Sequence, residues 1–271
     1  MTSRVLALLG AFGAEHRHLS LTQISRRAGL PLATAHRLTA ELTAWGALER
    51  DSDGRYRIGL RLWEVGSLAP RGLGLREAAL PFLEDLYEAT HQNIQLAVLD
   101  GNEVVYVERI PGRDSVSVLT RVGGRWPAHA TGVGLALLAH ASRDDQERYL
   151  AGPLARFTPR TITEPARLRR ELAEVRRLGY AVSNGQVTLD ALSVAAPVRG
   201  PDGEVVAAIS IVTRAGAGPP SALAPAVCTA SRGLSRALRG SSGAAVAGGH
   251  EAASSTQRKV RSAVGPGRTT V

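Results

Sequence analysis

Two sets of residues have the types and spacing for binding chemistry. The first lies in the first sixty residues and is hydroxylic, amidic and basic: Thr22, Gln23, Thr34, His36, Arg37, Arg55 and Arg57. Guanidinium groups pair with phosphates or with the major-groove edge of guanine, while hydroxyl, carboxamide and imidazole groups reach phosphates or base edges. The second is Gly132-Val133, directly after His129-Ala130-Thr131. If a helix starts there, its free backbone N–H groups form a site for a carboxylate. Nothing has the spacing for catalysis. There is no Gly-x-Ser-x-Gly motif, and His129 has no adjacent carboxylate pair or nucleophile. Glu103 and Glu108 read as a solvated hairpin face, and His91, His129 and His140 lack metal-ligand spacing. Cys228 is the only cysteine, which excludes a disulfide framework and a cysteine-cluster zinc site. Gly72-x-Gly74 follows no strand and lacks a third glycine, so it reads as a joint rather than a dinucleotide loop. No enzyme, metal or cofactor is expected.

The elements that position the first set are legible from periodicity. Val5, Leu8, Leu9 and Phe12 fall on one helical face, with Ser3 as the expected cap; this reads as a helix of about residues 4–12 rather than a secretory leader. Ser20 and Gln23 form a capping box for a second helix that Gly29 ends. After Leu30-Pro31 a third helix runs to about Ala44, with Leu32, Ala35, Leu38 and Leu42 expected inward. Ala33, Arg37, Ala40 and Ala44 face outward, with Thr34 and His36 on the flanks. Small and basic residues opposite a buried face are what a helix needs to lie in the major groove. Residues 47–50 and 55–58 then read as two strands around Asp53-Gly54, a wing that offers Arg55 and Arg57 to phosphates.

Residues 60–68 continue in helical style, and a long helix follows over about 75–90. From Ile94 the grammar changes. Strands are expected over 94–99, 103–110, 116–122, 180–183, 192–198 and 204–212. Helices are expected over 132–140, 143–150, from a Thr163 cap to Gly179, and over about 222–238. Strands and helices in this order indicate an α+β ligand-binding domain. The domain boundaries are therefore 1–60, 61–74 (linker helix and joint), 75–239 and 240–271. Glycine, alanine and serine make up 17 of the last 32 residues, too few apolar groups to offset ordering entropy, so that stretch is expected to be a disordered tail.

Composition agrees. The chain has 271 residues, 44% hydrophobic and 21% charged, enough for two globular domains. Its net charge of +9 is densest at the two ends and suits a nucleic-acid partner. Arginine outnumbers lysine 32 to 1, which reads as genomic base composition. No run is long and apolar enough to span a bilayer, so a cytoplasmic protein without a membrane partner is expected.

The run LTQISRRAGLPLATAHRL, Leu21–Leu38, with LERDSDGRYRIGLRL, Leu48–Leu62, resembles the IclR family of bacterial transcriptional regulators. The resemblance continues through LAVLDG (Leu96–Gly101), PAHATG (Pro127–Gly132), RFTPRTIT (Arg156–Thr163), RLGYAV (Arg177–Val182) and VAAPV (Val194–Val198). It implies a winged helix-turn-helix joined by a linker helix to a GAF/PAS-like effector domain. It also implies a homodimer or a dimer of dimers, a pseudo-palindromic double-stranded DNA operator, and an organic-acid effector. Carried over, the effector residues are Trp126, Gly132, Val133, Ser183, Ala191, Ser193, Ser210 and Val212. Two departures stand out. Leu32-Ala33 replaces the common Lys-Ser after the proline. The usual acidic run and cysteine after Tyr-Ala-Val are replaced by a stretch whose one carboxylate is Asp190, with Ser193 at the cysteine position. The competing reading is an enzyme or small-molecule-binding protein whose helical head serves only for assembly.

Overall fold

The structure, a computed structural model of the chain, describes the backbone of residues 1–13, 15–69, 72–113 and 115–261, and side chains up to residue 240. It divides into two compact units, Met1–Leu73 and Gly74–Val271.

In the first unit, α1 (Thr2–Leu9), α2 (Leu21–Ala28) and α3 (Leu32–Trp45) precede the two-stranded wing β1 (Leu48–Arg50) and β2 (Tyr56–Ile58), followed by α4 (Leu60–Ser67). Leu8, Ala11, Leu19, Ile24, Leu38, Leu48 and Tyr56 form the core. α1 starts earlier than expected: the Met1 carbonyl takes the first helical bonds, so Ser3 lies inside the helix and does not cap it. Leu19 and Tyr56 exchange backbone hydrogen bonds of 2.9 and 2.8 Å, which ties the wing to the segment before α2. The wing loop is held by Asp51, whose Oδ1 accepts from the N–H groups of Asp53 and Arg55. Gly54 supplies the positive φ of 76° that the loop needs.

The second unit opens with α5 (Leu73–Thr90) and has a six-stranded antiparallel sheet. Its strands are β3 (Asn93–Asp100), β4 (Glu103–Ile110), β5 (Arg125–Pro127), β6 (Ala181–Asn184), β7 (Ala191–Arg199) and β8 (Val205–Arg214), in the order β5-β4-β3-β8-β7-β6. The helices α6 (Gly132–Leu138), α7 (Arg143–Leu150), α8 (Pro165–Leu178) and α9 (Pro220–Arg261) complete it. Strand alternation divides the core between the two sheet faces. Ile94, Leu96, Val194, Ile209 and Ile211 pack with Leu83 of α5 and Val227 and Leu234 of α9. Ala97, Tyr106, Ala195 and Ala208 pack with α6 and with Leu168, Leu172 and Val175 of α8.

Three further expectations are corrected. Residues 116–122 are not a strand. The place beside β4 is taken by β5, and Tyr106 bonds instead to Gly123 and Gly124. The segment is held by side chains: Asn93 Nδ2 donates to the Val116 carbonyl at 2.9 Å, and Gln95 Nε2 donates to Thr120 Oγ1 at 2.6 Å. Thr163 does not cap α8. Pro165 occupies the first turn, Glu164 holds the cap position, and Thr163 Oγ1 accepts from Arg156 at 3.0 Å. Leu32, expected inward, is 51% exposed. The remaining expectations for the joint and the tail fall partly outside the described residues, at Pro70, Arg71 and 262–271. α9 continues as helix to Arg261, with side chains beyond residue 240 also outside them. Among the described residues no helix is long and apolar enough to cross a membrane.

Candidate functional site

The head positions its polar residues through caps. Ser20 Oγ accepts from the Gln23 N–H, and Gln23 Oε1 accepts from the Ser20 N–H at 2.8 Å. The capping box thus engages the Gln23 side chain, while Thr22 beside it is exposed. Gly29, at φ 64°, closes α2, and Ser25 Oγ holds the turn by donating to the Leu30 carbonyl at 2.6 Å. α3 then buries Ala35, Leu38 and Thr39. Leu32, Ala33, His36 and Arg37 are exposed and Thr34 is half-buried, so the small-and-basic face points to solvent.

Two of the three candidate arginines are already paired. Arg37 meets Glu41 at 2.6 Å, one turn along α3. Arg57 donates through Nε and Nη2 to Glu49 Oε2 at 2.9 and 2.8 Å. Glu49 Oε1 also accepts from the Leu60 N–H, which links the wing to α4. The Arg57 guanidinium, more than the Leu60 amide, holds the Glu49 carboxyl below its ordinary value. Arg55 is exposed on the wing. Arg27, by contrast, is structural: its Nε donates to the Ala11 carbonyl at 2.8 Å.

In the second unit, seven of the eight carried-over residues line one cavity of about 500 Å³, mouth included: Trp126, Gly132, Val133, Ser183, Ala191, Ser193 and Val212. Ser210 lies behind it, fully buried, and donates to Gln95 Oε1 at 3.4 Å. Gln95 is itself a wall residue that sequence reasoning missed, together with Tyr106, the segment Val118–Thr120 and the loop Gln186–Thr188. Among the described residues no charged side chain lines the cavity.

Close packing builds the entrance to α6. Thr131 caps it, its Oγ1 accepting from the Gly134 N–H at 3.1 Å. A Cβ on Gly134 would stand 2.1 Å from the Ala128 carbonyl oxygen, and one on Gly132 would stand 2.5 Å from Ser193 Oγ. The backbone at Gly132 is therefore pressed against Ser193, placing hydroxyl and helix start side by side. Tyr106, hydrogen-bonded to Thr131, is pushed far above its ordinary pKa by burial. Gln186 is 7% exposed, and its side-chain oxygen has no partner. A buried acceptor in this state costs about 1–3 kcal/mol. Gln186 lines the cavity.

His129 does no chemistry here. It is 1% exposed, with Nδ1 2.8 Å from the Tyr149 hydroxyl and Nε2 2.9 Å from the Ala155 carbonyl. The carbonyl can only accept, so Nε2 carries the proton and Nδ1 accepts from tyrosine. Burial holds this imidazole below its ordinary pKa, against the opposing effect of the Ala155 hydrogen bond. The stability it contributes is therefore full above about pH 6.5 and is lost as the pH falls toward the lowered native value, because the unfolded imidazole takes its proton first. The urea midpoint of the second unit is expected to drop between pH 7 and 5, and less steeply in His129→Gln. Equal slopes would contradict burial as the cause.

A helix-turn-helix head with a wing, carried on the same chain as an α+β domain with a cavity lined by uncharged residues, defines a ligand-responsive DNA-binding regulator. Comparison with known proteins agrees. The model of the IclR helix-turn-helix domain matches residues 2–52, and that of the bacterial transcriptional regulator IclR C-terminal domain matches 69–218. The chain belongs to the IclR family. It is 33% identical to the HTH-type transcriptional regulator XynR of Escherichia coli, covering 78% of this chain and 84% of that protein. It is 36% identical to the regulator BhcR of Paracoccus denitrificans, over 80% of each. Among solved structures, an IclR homolog from Microbacterium hydrocarbonoxydans complexed with 4-hydroxybenzoate is similar at 40% identity and a TM-score of 0.82. That match covers 88% of this chain and 99% of the other. Its relatives are regulators, and it is a regulator rather than an enzyme.

Proposed function

We propose that this regulator senses a small hydroxylated carboxylic acid and binds its operator as a dimer in the cytoplasm, chiefly as a repressor. The observation that carries the effector class is the pairing of two features in one cavity. At one place are the N–H groups of Gly132 and Val133 with the Ser193 hydroxyl, all donors. At another is Gln186, a wall residue whose buried side-chain oxygen, an acceptor, has no partner. A carboxylate satisfies the first and a hydroxyl the second. The 4-hydroxybenzoate in the similar structure has both groups.

The effector residues are then Trp126 and Val212 as apolar walls, Gly132, Val133 and Ser193 at the acid, Ala191 and Ser183 beside it, and Ser210 as the group that orients Gln95. The DNA residues are Thr22, Thr34, His36 and Arg37 with Leu32 and Ala33 on the helices, Gln23 at the cap, and Arg55 and Arg57 on the wing. Two heads related by a two-fold axis match a pseudo-palindromic operator.

Calorimetry with 4-hydroxybenzoate and benzoate tests the reading. The hydroxylated acid is expected to bind about tenfold tighter, since benzoate leaves the Gln186 oxygen buried and unpaired. Gln186→Leu should erase that difference. Ser193→Ala with Ser210→Ala should remove any effector-dependent change in operator affinity while the fold persists. Equal affinities for the two acids in the unmodified protein would overturn the assignment.

A further inference from the structure

A groove elsewhere in the second unit has the opposite character to the effector cavity. It is an open concavity of about 970 Å³ lined by Arg176, Arg199, Arg232, Arg236 and Arg239, with His140 and Cys228 among them. Its origin is topological. β6 pairs with β7 only from Leu192 to Ala195, so residues 196–199 of β7 extend past the edge of β6. That free edge is closed by α9: Ser231 Oγ donates to the Pro197 carbonyl at 2.5 Å, and Ser235 Oγ accepts from the Arg199 N–H at 2.9 Å. The floor is therefore sealed against an added strand, and Pro197 has no N–H to offer one.

The walls are cationic by helical spacing. Arg232, Arg236 and Arg239 stand at i, i+4 and i+7 on one face of α9, about 10 Å from first to last. Arg176, from α8, donates to the Ala139 carbonyl at 3.0 Å, and Arg199 to the Gly203 carbonyl at 2.8 Å. Both partners are neutral, so neither charge is cancelled. Among the described residues none of the five has a carboxylate within ion-pair distance, although nine such pairs form elsewhere. Among the described residues no acidic one lines the groove. Burial, with a smaller contribution from the charges of Arg199 and Arg176, holds the His140 imidazole below its ordinary value, against the Ala136 hydrogen bond. Five uncompensated guanidinium groups around one concavity repel each other unless an anion joins them.

We propose that this groove is a second ligand site, for a small molecule carrying two or more phosphate groups. Guanidinium forks match phosphate oxygens bidentately. The concavity and the sealed strand edge suit a compact polyanion rather than a duplex or an extended peptide. Either a nucleoside polyphosphate or an inorganic polyphosphate supplies this chemistry.

The test uses the full chain at fixed salt, titrated calorimetrically with inorganic triphosphate, ATP, adenosine and a short polyglutamate. Triphosphate and ATP are expected to saturate one site and adenosine to give no signal. ATP binding tighter than triphosphate identifies a nucleotide; equal binding identifies the phosphate chain alone. Arg232→Gln with Arg236→Gln should weaken triphosphate binding at least tenfold, while Arg37→Ala with Arg55→Ala in the head should leave it unchanged. Cys228, the single cysteine, lines the groove, so triphosphate should slow its labelling by a maleimide. Affinity lost with the head variant and kept in the groove variant would place the phosphates on the DNA-binding surface and overturn the proposal. Binding of polyglutamate without triphosphate would overturn it in favour of an acidic protein partner.

Discussion

Replacing Gly134 with alanine is expected to cost the second unit about 3 kcal/mol or more of stability and to abolish the response to effector. The added methyl would lie 2.1 Å from the Ala128 carbonyl oxygen and 2.5 Å from its Cα. Both are backbone atoms of the short turn that precedes α6, so no side chain can rotate away. Forcing one methyl group into a packed interior typically costs about 1–3 kcal/mol, and more when the backbone must yield. The same displacement moves Thr131 off its cap and separates Gly132 from Ser193. Gly74 in α5 is the control, because a methyl there would meet nothing within 4 Å. Gly74→Ala should be neutral or stabilising by up to about 1 kcal/mol. Differential scanning calorimetry of the two variants reads the contrast, and operator affinity without effector should persist in Gly134→Ala below its transition. An unfolding profile for Gly134→Ala that matches the unmodified chain would show that α6 does not need this close approach.

The same turn shows what the sequence can and cannot reveal. The head was almost wholly legible. The Ser20–Gln23 box, Gly29 and the outward set on α3 are local signals, and their geometry follows from residues three or four apart. Leu32 was misplaced because periodicity alone does not show where a helix's first turn stops meeting the core. In the second unit, alternation marked most strands and the family resemblance located seven cavity residues. Periodicity could not show that residues 116–122 form no strand and that Val118–Thr120 become a cavity wall. Their strand-like composition is overridden by Asn93 and Gln95, more than twenty residues away, which take up their polar groups. Gln95 and Gln186 were missed for a related reason. A single carboxamide in a strand or loop has no sequence signature, and its role appears only when burial and unpaired atoms are known.

Arg37→Ala is expected to weaken operator binding by about 1–3 kcal/mol, roughly 5- to 150-fold. The side chain stands on the exposed face of α3 between Ala33 and Ala40, whose small size lets the helix approach DNA closely. In the free protein its guanidinium is held by Glu41 at 2.6 Å. DNA must compete with that carboxylate, which itself faces the phosphates with the wrong sign. Exposed pairs of this kind are worth about 0.2–1 kcal/mol. Glu41→Gln should therefore tighten binding by up to about fivefold, opposite in sign to the arginine change. A general loss of helix stability would weaken binding in both variants, so the opposed signs separate a direct contact from an indirect one. The salt dependence then assigns the partner. If Arg37 meets a phosphate, its removal reduces the slope of log affinity against log salt by about one and weakens all sequences alike; if it meets guanine, discrimination at that base pair relaxes. Shift assays on operator and scrambled duplexes at three salt concentrations give both readings. Unchanged affinity in Arg37→Ala would remove α3 from the groove and with it the DNA-reading surface assigned to this head.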